Sequence, residues 1–147
     1  MDVHKITASF AAAGQLTPDD IRQAAREGYR TVVNNRPDGE GGPEQPTAEA
    51  CRQAAEEAGL SYHYIPMTPD RLSADLIEEF RQAIEDGPQP VLAHCKSGAR
   101  STALWALVEC CHNARDVDEV IAEAARQGYD LSQMRPLFQA YVAQTRG

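Results

Sequence analysis

Long apolar runs are missing from this sequence. No stretch approaches the roughly 20 residues that a helix needs to cross a bilayer, so no membrane partner is expected. The start, MDVHKITASFAAAG, lacks an extended apolar segment behind a basic head, and the chain reads as a soluble, cytoplasmic protein. Positive charge is scarce: 14 Lys and Arg face 22 Asp and Glu, for a formal charge of −8. A nucleic-acid partner is therefore not expected, because phosphate backbones demand many facing cations. A small anionic substrate is compatible with this balance, since a few cations can gather around one pocket. Low-complexity tracts, internal repeats and linkers are also lacking, and residues 1–147 read as one domain long enough to bury a core.

Cysteine is sparse and in the wrong pattern for a framework. Cys110 and Cys111 are adjacent, and neither Cys51 nor Cys95 has a CxxC partner. Disulfides and a zinc site are not expected. His4, His63 and His112 lack ligand spacing as well, so neither a metal nor another cofactor is implied. Cys51, Cys110 and Cys111 read as small buried hydrophobes.

What is present is regular punctuation. In LTPDDIRQAAREG, Thr17 caps a helix, Pro18 opens it, Asp19 and Asp20 suit its positive end, and Gly28 stops it. YRTVVNN reads as a strand, and RPDGEGGPEQP, with its three prolines and three glycines, as a loop. Thr47 caps AEACRQAAEEAG; LSYHYIPM is a strand; Ser73 caps ADLIEEFRQAIEDG, where Leu76, Ile77, Phe80 and Ile84 repeat at helical spacing. The strand VLAH, a short loop, and a helix from about Arg100 follow, then helices in VDEVIAEAARQG and RPLFQAYVAQ. With one more strand near KITASF, the pattern predicts an α/β fold: a mostly parallel central sheet of about four strands with helices on both faces. In such sheets ligands gather at the carboxyl ends of the strands. Three loops leave there: 34–46, 67–72 and the one after VLAH.

That last loop carries the chemistry. In HCKSGARS, Cys95 ends the strand, and Lys96, Ser97, Gly98 and Ala99 lead to Arg100 and Ser101 at a helix start. Backbone N–H groups at a helix N-terminus form an anion cradle, and a cysteine at its base favours the thiolate. Gly98 permits the turn, and Arg100 can present two donors to an oxyanion. Cys95 and Arg100 are thus the catalytic candidates, with Lys96 to Ser101 as the binding loop. Lys96 adds charge at the mouth or is solvated. Ser101 bonds the thiolate or caps the helix. His94 organises the loop backbone rather than acting as a base, and Trp105 packs beyond the first turns. Arg36, on a loop reaching the same rim, is a weaker substrate-binding candidate that could instead pair with Asp38 or Glu40.

HCKSGARS resembles the active-site loops of two enzyme groups. Cysteine-dependent phosphatases carry His-Cys, five residues, then Arg; rhodanese-type sulfurtransferases have Cys, four residues, then Arg. The spacing here is the second. The surrounding sequence is similar to the dual-specificity phosphatase fold. Taken together, VVNNRPDGE, EQP, YHYIPMTP and HCKSGARSTALWAL resemble the bacterial phosphatase-like domain found alone or fused to beta-lactamase-like hydrolases. Members of that family are described as phosphatase-like or as sulfur transferases, and the fused relatives imply a separate sulfur-oxidising hydrolase as a partner.

Two features tilt the sequence reading to sulfur. A loop one residue short leaves less room for three phosphoryl oxygens, whereas a persulfide adds one sulfur atom to Cys95. The resemblance to dual-specificity phosphatases also implies an aspartate general acid after YHYIPM. Asp70 is the acid of that short loop, and its setting after Pro69 is that of an ordinary turn residue. The leading expectation is transfer of sulfur from thiosulfate or a persulfide, through a Cys95 persulfide, to a thiol or cyanide. The alternative is hydrolysis of a phosphomonoester or phosphotyrosine through a phosphocysteine, with Asp70 as the acid. A non-catalytic anion-binding module ranks third. Oligomeric state is not legible in the sequence.

Overall fold

The computed structural model describes residues 1–146. Among the described residues five strands and six α-helices follow in the order β1 (Val3–Lys5), β2 (Phe10–Ala13), α1 (Pro18–Arg26), β3 (Thr31–Asn34), α2 (Ala48–Glu57), β4 (Ser61–Tyr64), α3 (Ala74–Arg81), β5 (Val91–His94), α4 (Ala99–Cys111), α5 (Val117–Arg126) and α6 (Arg135–Arg146). The sheet order is β1-β2-β5-β3-β4. Strands β2, β5, β3 and β4 run parallel, and β1 lies antiparallel on β2.

The α/β class and mostly parallel sheet stand as expected, but there are five strands rather than about four. The correction falls at the N-terminus. Thr7 and Ser9, inside the expected strand near KITASF, form a turn, with Phe10 N donating to Thr7 Oγ1 at 3.1 Å. The strand beyond it is FAAA, whose alanines carry none of the β-branched signal by which strands are recognised. Their small side chains, all buried, let α4 and α1 lie close to the two faces of the sheet.

Strand alternation sorts the core into two layers. Ala12, Val33, Val91 and Ala93 face a cluster built from α3, α4, α5 and α6, while Ala11, Ala13, Val32 and Leu92 face α1 and α2. Helix α4 is covered on all sides, with every residue from Ser101 to Val108 buried, as the apolar run from Ala103 to Val108 requires. Trp105 in that helix stacks on Phe10, with ring centroids 6.2 Å apart. Among the described residues no helix is long and apolar enough to cross a membrane.

The layering also places the site. Strands β2 and β3 feed α1 and α2 on one face, whereas β5, between them, feeds α4 on the other. The carboxyl end of β5 is therefore a topological switch point, where neighbouring connections part and leave a crevice. Cys95 is the next residue after β5.

Candidate active site

Cys95 leaves the central strand only 1% exposed. Its backbone N–H reaches Ala13 O at 3.4 Å, which ties the start of the loop to β2. Lys96, Ser97 and Ala99 are exposed, while Gly98 is buried and turns the chain into α4 with φ of +98°. That conformation favours glycine, and space demands it too: a Cβ there would lie 2.1 Å from Tyr129 Oη. Thr102 holds the turn from inside α4, its Oγ1 donating to Gly98 O at 2.8 Å.

So folded, the loop wraps the sulfur. Gly98 N–H donates to Cys95 Sγ at 3.1 Å. Burial pushes the Cys95 thiol up, but the N–H groups of Ser101, Ser97, Gly98 and Arg100 together outweigh it, and the net shift is down. The thiolate is stabilised by backbone dipoles at a helix N-terminus.

The Arg100 guanidinium is already engaged. Its two terminal nitrogens donate to the Glu40 carboxylate at 2.9 and 2.6 Å, and one also donates to Met67 O at 3.0 Å. Arg36, 8% exposed, donates through Nε to Glu40 Oε1 at 3.1 Å and through a terminal nitrogen to Gln15 Oε1 at 3.2 Å. One carboxylate thus lies between two guanidiniums, and the Arg100 hydrogen bonds, followed by those of Arg36, hold Glu40 down to about 2 against the effect of burial. Pairing with Glu40 raises Arg100 above its ordinary value, with burial opposing and Cys95 adding to the rise. All three loops named from the sequence meet here: Glu40 from the first, Met67 from the second, Arg100 from the third.

Beneath this surface lies a polar layer that the sequence reading did not single out. Asn35 Nδ2 donates to Ile65 O at 2.8 Å, its Oδ1 accepts from Ser101 Oγ at 2.8 Å, and its N–H reaches His94 O at 2.7 Å. The Ser101 hydroxyl is committed to Asn35, so its backbone N–H, not its side chain, addresses Cys95, and Gly98 occupies the N-cap. Asn34 Oδ1 accepts from Arg36 N–H at 2.9 Å, orienting the segment that carries Arg36. His94 is fully buried with neither ring nitrogen in a well-formed hydrogen bond. Burial pushes it down to about 4, the adjacent Cys95 backbone working the other way, so the ring is neutral.

Asp70 is exposed in the short 3-10 helix Pro69–Arg71. Thr68 Oγ1 donates to Asp70 Oδ1 at 2.6 Å and holds the carboxyl below its ordinary range. The signals for the missed residues were faint but present. Glu40 lies between glycines in PDGEGG and is named from the sequence only as one of two possible partners for Arg36, and Asn35 is a polar residue just past a β-branched strand.

Residues 2–112 match the family described as the beta-lactamase hydrolase-like protein, phosphatase-like domain. The beta-lactamase hydrolase-like protein of Xylella fastidiosa (strain Temecula1 / ATCC 700964) is 39% identical over 89% of this chain, which spans 30% of that protein's length. Among solved structures, a candidate phosphatase of Neisseria meningitidis Z2491 is 32% identical, with a TM-score of 0.84 over 96% of this chain and 99% of that one. A second candidate phosphatase, from Shewanella putrefaciens CN-32, is 19% identical, with a TM-score of 0.72 over 97% and 87%, and shares the fold.

Proposed function

We propose that this chain, which belongs to the phosphatase-like domain family of beta-lactamase hydrolase-like proteins, is a cysteine-dependent phosphatase acting on a small phosphomonoester. The observation that carries this reading is the Arg100 grip on Glu40 beside a stabilised thiolate. The carboxylate stands in for two oxygens of a substrate oxyanion, so the guanidinium is set to clamp a planar pair of oxygens at the mouth of the cradle. The similar Neisseria protein, named as a candidate phosphatase, supports the same reading.

In this mechanism the Cys95 thiolate attacks phosphorus, forming the S–P bond as the P–O bond to the alkoxide or phenoxide breaks. The cradle N–H groups and Arg100 hold the equatorial oxygens, where charge gathers in the transition state. The leaving oxygen takes a proton, and water then cleaves the phosphocysteine to return thiolate and phosphate. Asp70 is ionised and tied to Thr68 in the resting protein, so it supplies that proton only after it moves and gains one.

One observation favours a second reading. Gly98 N–H donates to Sγ itself at 3.1 Å, within a loop of only four residues between Cys95 and Arg100. A persulfide on Cys95 would meet that short, tight loop with one added sulfur atom instead of three phosphoryl oxygens. In sulfur transfer the thiolate attacks the outer sulfur of thiosulfate, the S–S bond breaks and sulfite leaves; cyanide or a thiol then removes the sulfur. A sulfur-oxidising hydrolase partner belongs to this second reading.

Parallel assays separate the two. Wild type and Cys95→Ser would receive an aryl phosphate in one set and thiosulfate with cyanide in the other, with intact mass read after each. We expect phosphate release by wild type and a loss of at least about a thousandfold in Cys95→Ser. A gain of one sulfur on wild type without phosphate release would replace the phosphatase reading with the transferase.

A further inference from the structure

We infer that Tyr129 is a positioning residue for the Cys95 thiolate, acting through the peptide bond between Ser97 and Gly98. The inference rests on Cys95 being the working nucleophile, whichever atom it attacks.

A trans peptide points its carbonyl and its N–H in opposite directions. On one side of the Ser97–Gly98 peptide, Tyr129 Oη donates to Ser97 O at 3.1 Å. On the other, Gly98 N–H donates to Cys95 Sγ at 3.1 Å. Holding the carbonyl outward therefore holds the N–H inward, on the sulfur. Gln15 N–H on Lys96 O and Thr102 on Gly98 O hold the flanking peptides, and Tyr129 is the side chain that holds the carbonyl of this one, where rotation next to glycine costs little. The missing side chain at Gly98 is also what lets the phenol approach, because a Cβ would lie 2.9 Å from Tyr129 Cζ as well as 2.1 Å from its oxygen.

Tyr129 is itself held in place, which a positioning role requires. It follows α5, where Gly128 adopts φ of +101° and Tyr129 N–H returns to Ala124 O at 3.1 Å, closing the helix end. His4 of β1 packs against its ring, centroids 4.8 Å apart, and His4 Nδ1 lies 2.7 Å from Gln127 O. The side chain is 9% exposed, and burial, then the Cys95 charge, keeps the phenol protonated by raising it to about 12. Tyr129 lies beyond residue 112, so the last two helices and their connections complete a loop that the family match alone does not.

The test reads the thiolate rather than turnover. Alkylation of Cys95 by iodoacetamide would be followed by peptide mass spectrometry across pH in wild type, Tyr129→Phe and Tyr129→Leu. This separates Cys95 from Cys51, Cys110 and Cys111. Arg100 with Glu40, Lys96 and His94 around the thiol, and Asp2 and His4 around the phenol, are unchanged in every variant. We expect the Cys95 midpoint to rise by about one unit in both variants, as loss of one oriented donor to a thiolate implies. A merely structural Tyr129 would lower the melting temperature and leave the midpoint in place. A midpoint within about 0.2 unit of wild type in folded Tyr129→Phe would overturn the inference. Alkylation needs no substrate, so a protein inactive on phosphate esters could still show the shift, and an active one could lack it.

Discussion

Glu40 decides what Arg100 can do at rest. The guanidinium has two donors aimed at an oxyanion, and both are on this carboxylate. Under the phosphatase reading proposed above, an incoming phosphate takes both donors, and Glu40 is then an internal competitor for the substrate's place. Gly39 and Gly41 flank Glu40, and Gly39 and Gly42 adopt φ of +80° and +81° in the turns that present its carboxylate. With Glu40 held at about 2, the contact is complete above the ordinary carboxylate range and is lost only as pH falls toward that value. Neutral pH therefore never releases it, and displacement by an anion has to. Glu40→Gln removes the competing charge while keeping the shape. Inorganic phosphate or vanadate, measured as a competitive inhibitor, is expected to bind roughly tenfold more tightly to this variant, the scale of one charge-assisted contact. Weaker binding would mean that Glu40 serves to orient Arg100 instead.

Just past strand β3, the Asn35 side chain joins helix α4 at Ser101 to the segment after β4 at Ile65, while its backbone N–H reaches His94 of β5. Removing it leaves the Ser101 hydroxyl and Ile65 carbonyl buried without this partner and frees the loop after β3. Asn35→Ala is expected to cost about 2–3 kcal/mol of unfolding free energy, read in urea, a buried polar pair left unmade. A cost below about 0.5 kcal/mol would show that water repairs the gap. At this scale the sequence was readable where a residue type has one reason to be where it is. Thr17, Thr47 and Ser73 all cap the helices assigned to them, and Thr17 forms a full capping box with Asp20. The β1–β2 hairpin was not readable, because Phe10–Ala13 owes its strand state to pairing with β5 rather than to local propensity. The candidate site divides in the same way. The Cys95 loop is contiguous and visible in one stretch, whereas Glu40, Asn35 and Tyr129 reach it from 55, 60 and 34 positions away by the numbering, and only the fold brings them in.

Across the whole molecule, pH dependence of stability turns on which buried groups resist taking a proton. His94 is the clearest, fully buried in the central strand and pushed down to about 4 from its ordinary 6.5. In the unfolded chain it takes its proton first as pH falls, so the stability it contributes is present above 6.5 and is lost as pH drops toward 4. Between about pH 7.5 and pH 5 that loss comes to about 2 kcal/mol. The acids held low by arginine, Glu40 and Glu78, both at about 2, lose their contributions only below the ordinary carboxylate range, which leaves this window to other groups. His63, lowered by burial, and Cys95, lowered overall, push in the same direction as His94. The discriminating measurement is therefore a difference: urea unfolding at both pH values for wild type and for His94→Gln, which keeps a polar side chain but cannot titrate. The wild type should lose about 2 kcal/mol more than the variant on acidification. Equal losses would mean that His94 finds a way to bear charge inside the sheet, and would point to a solvent path behind the Cys95 loop.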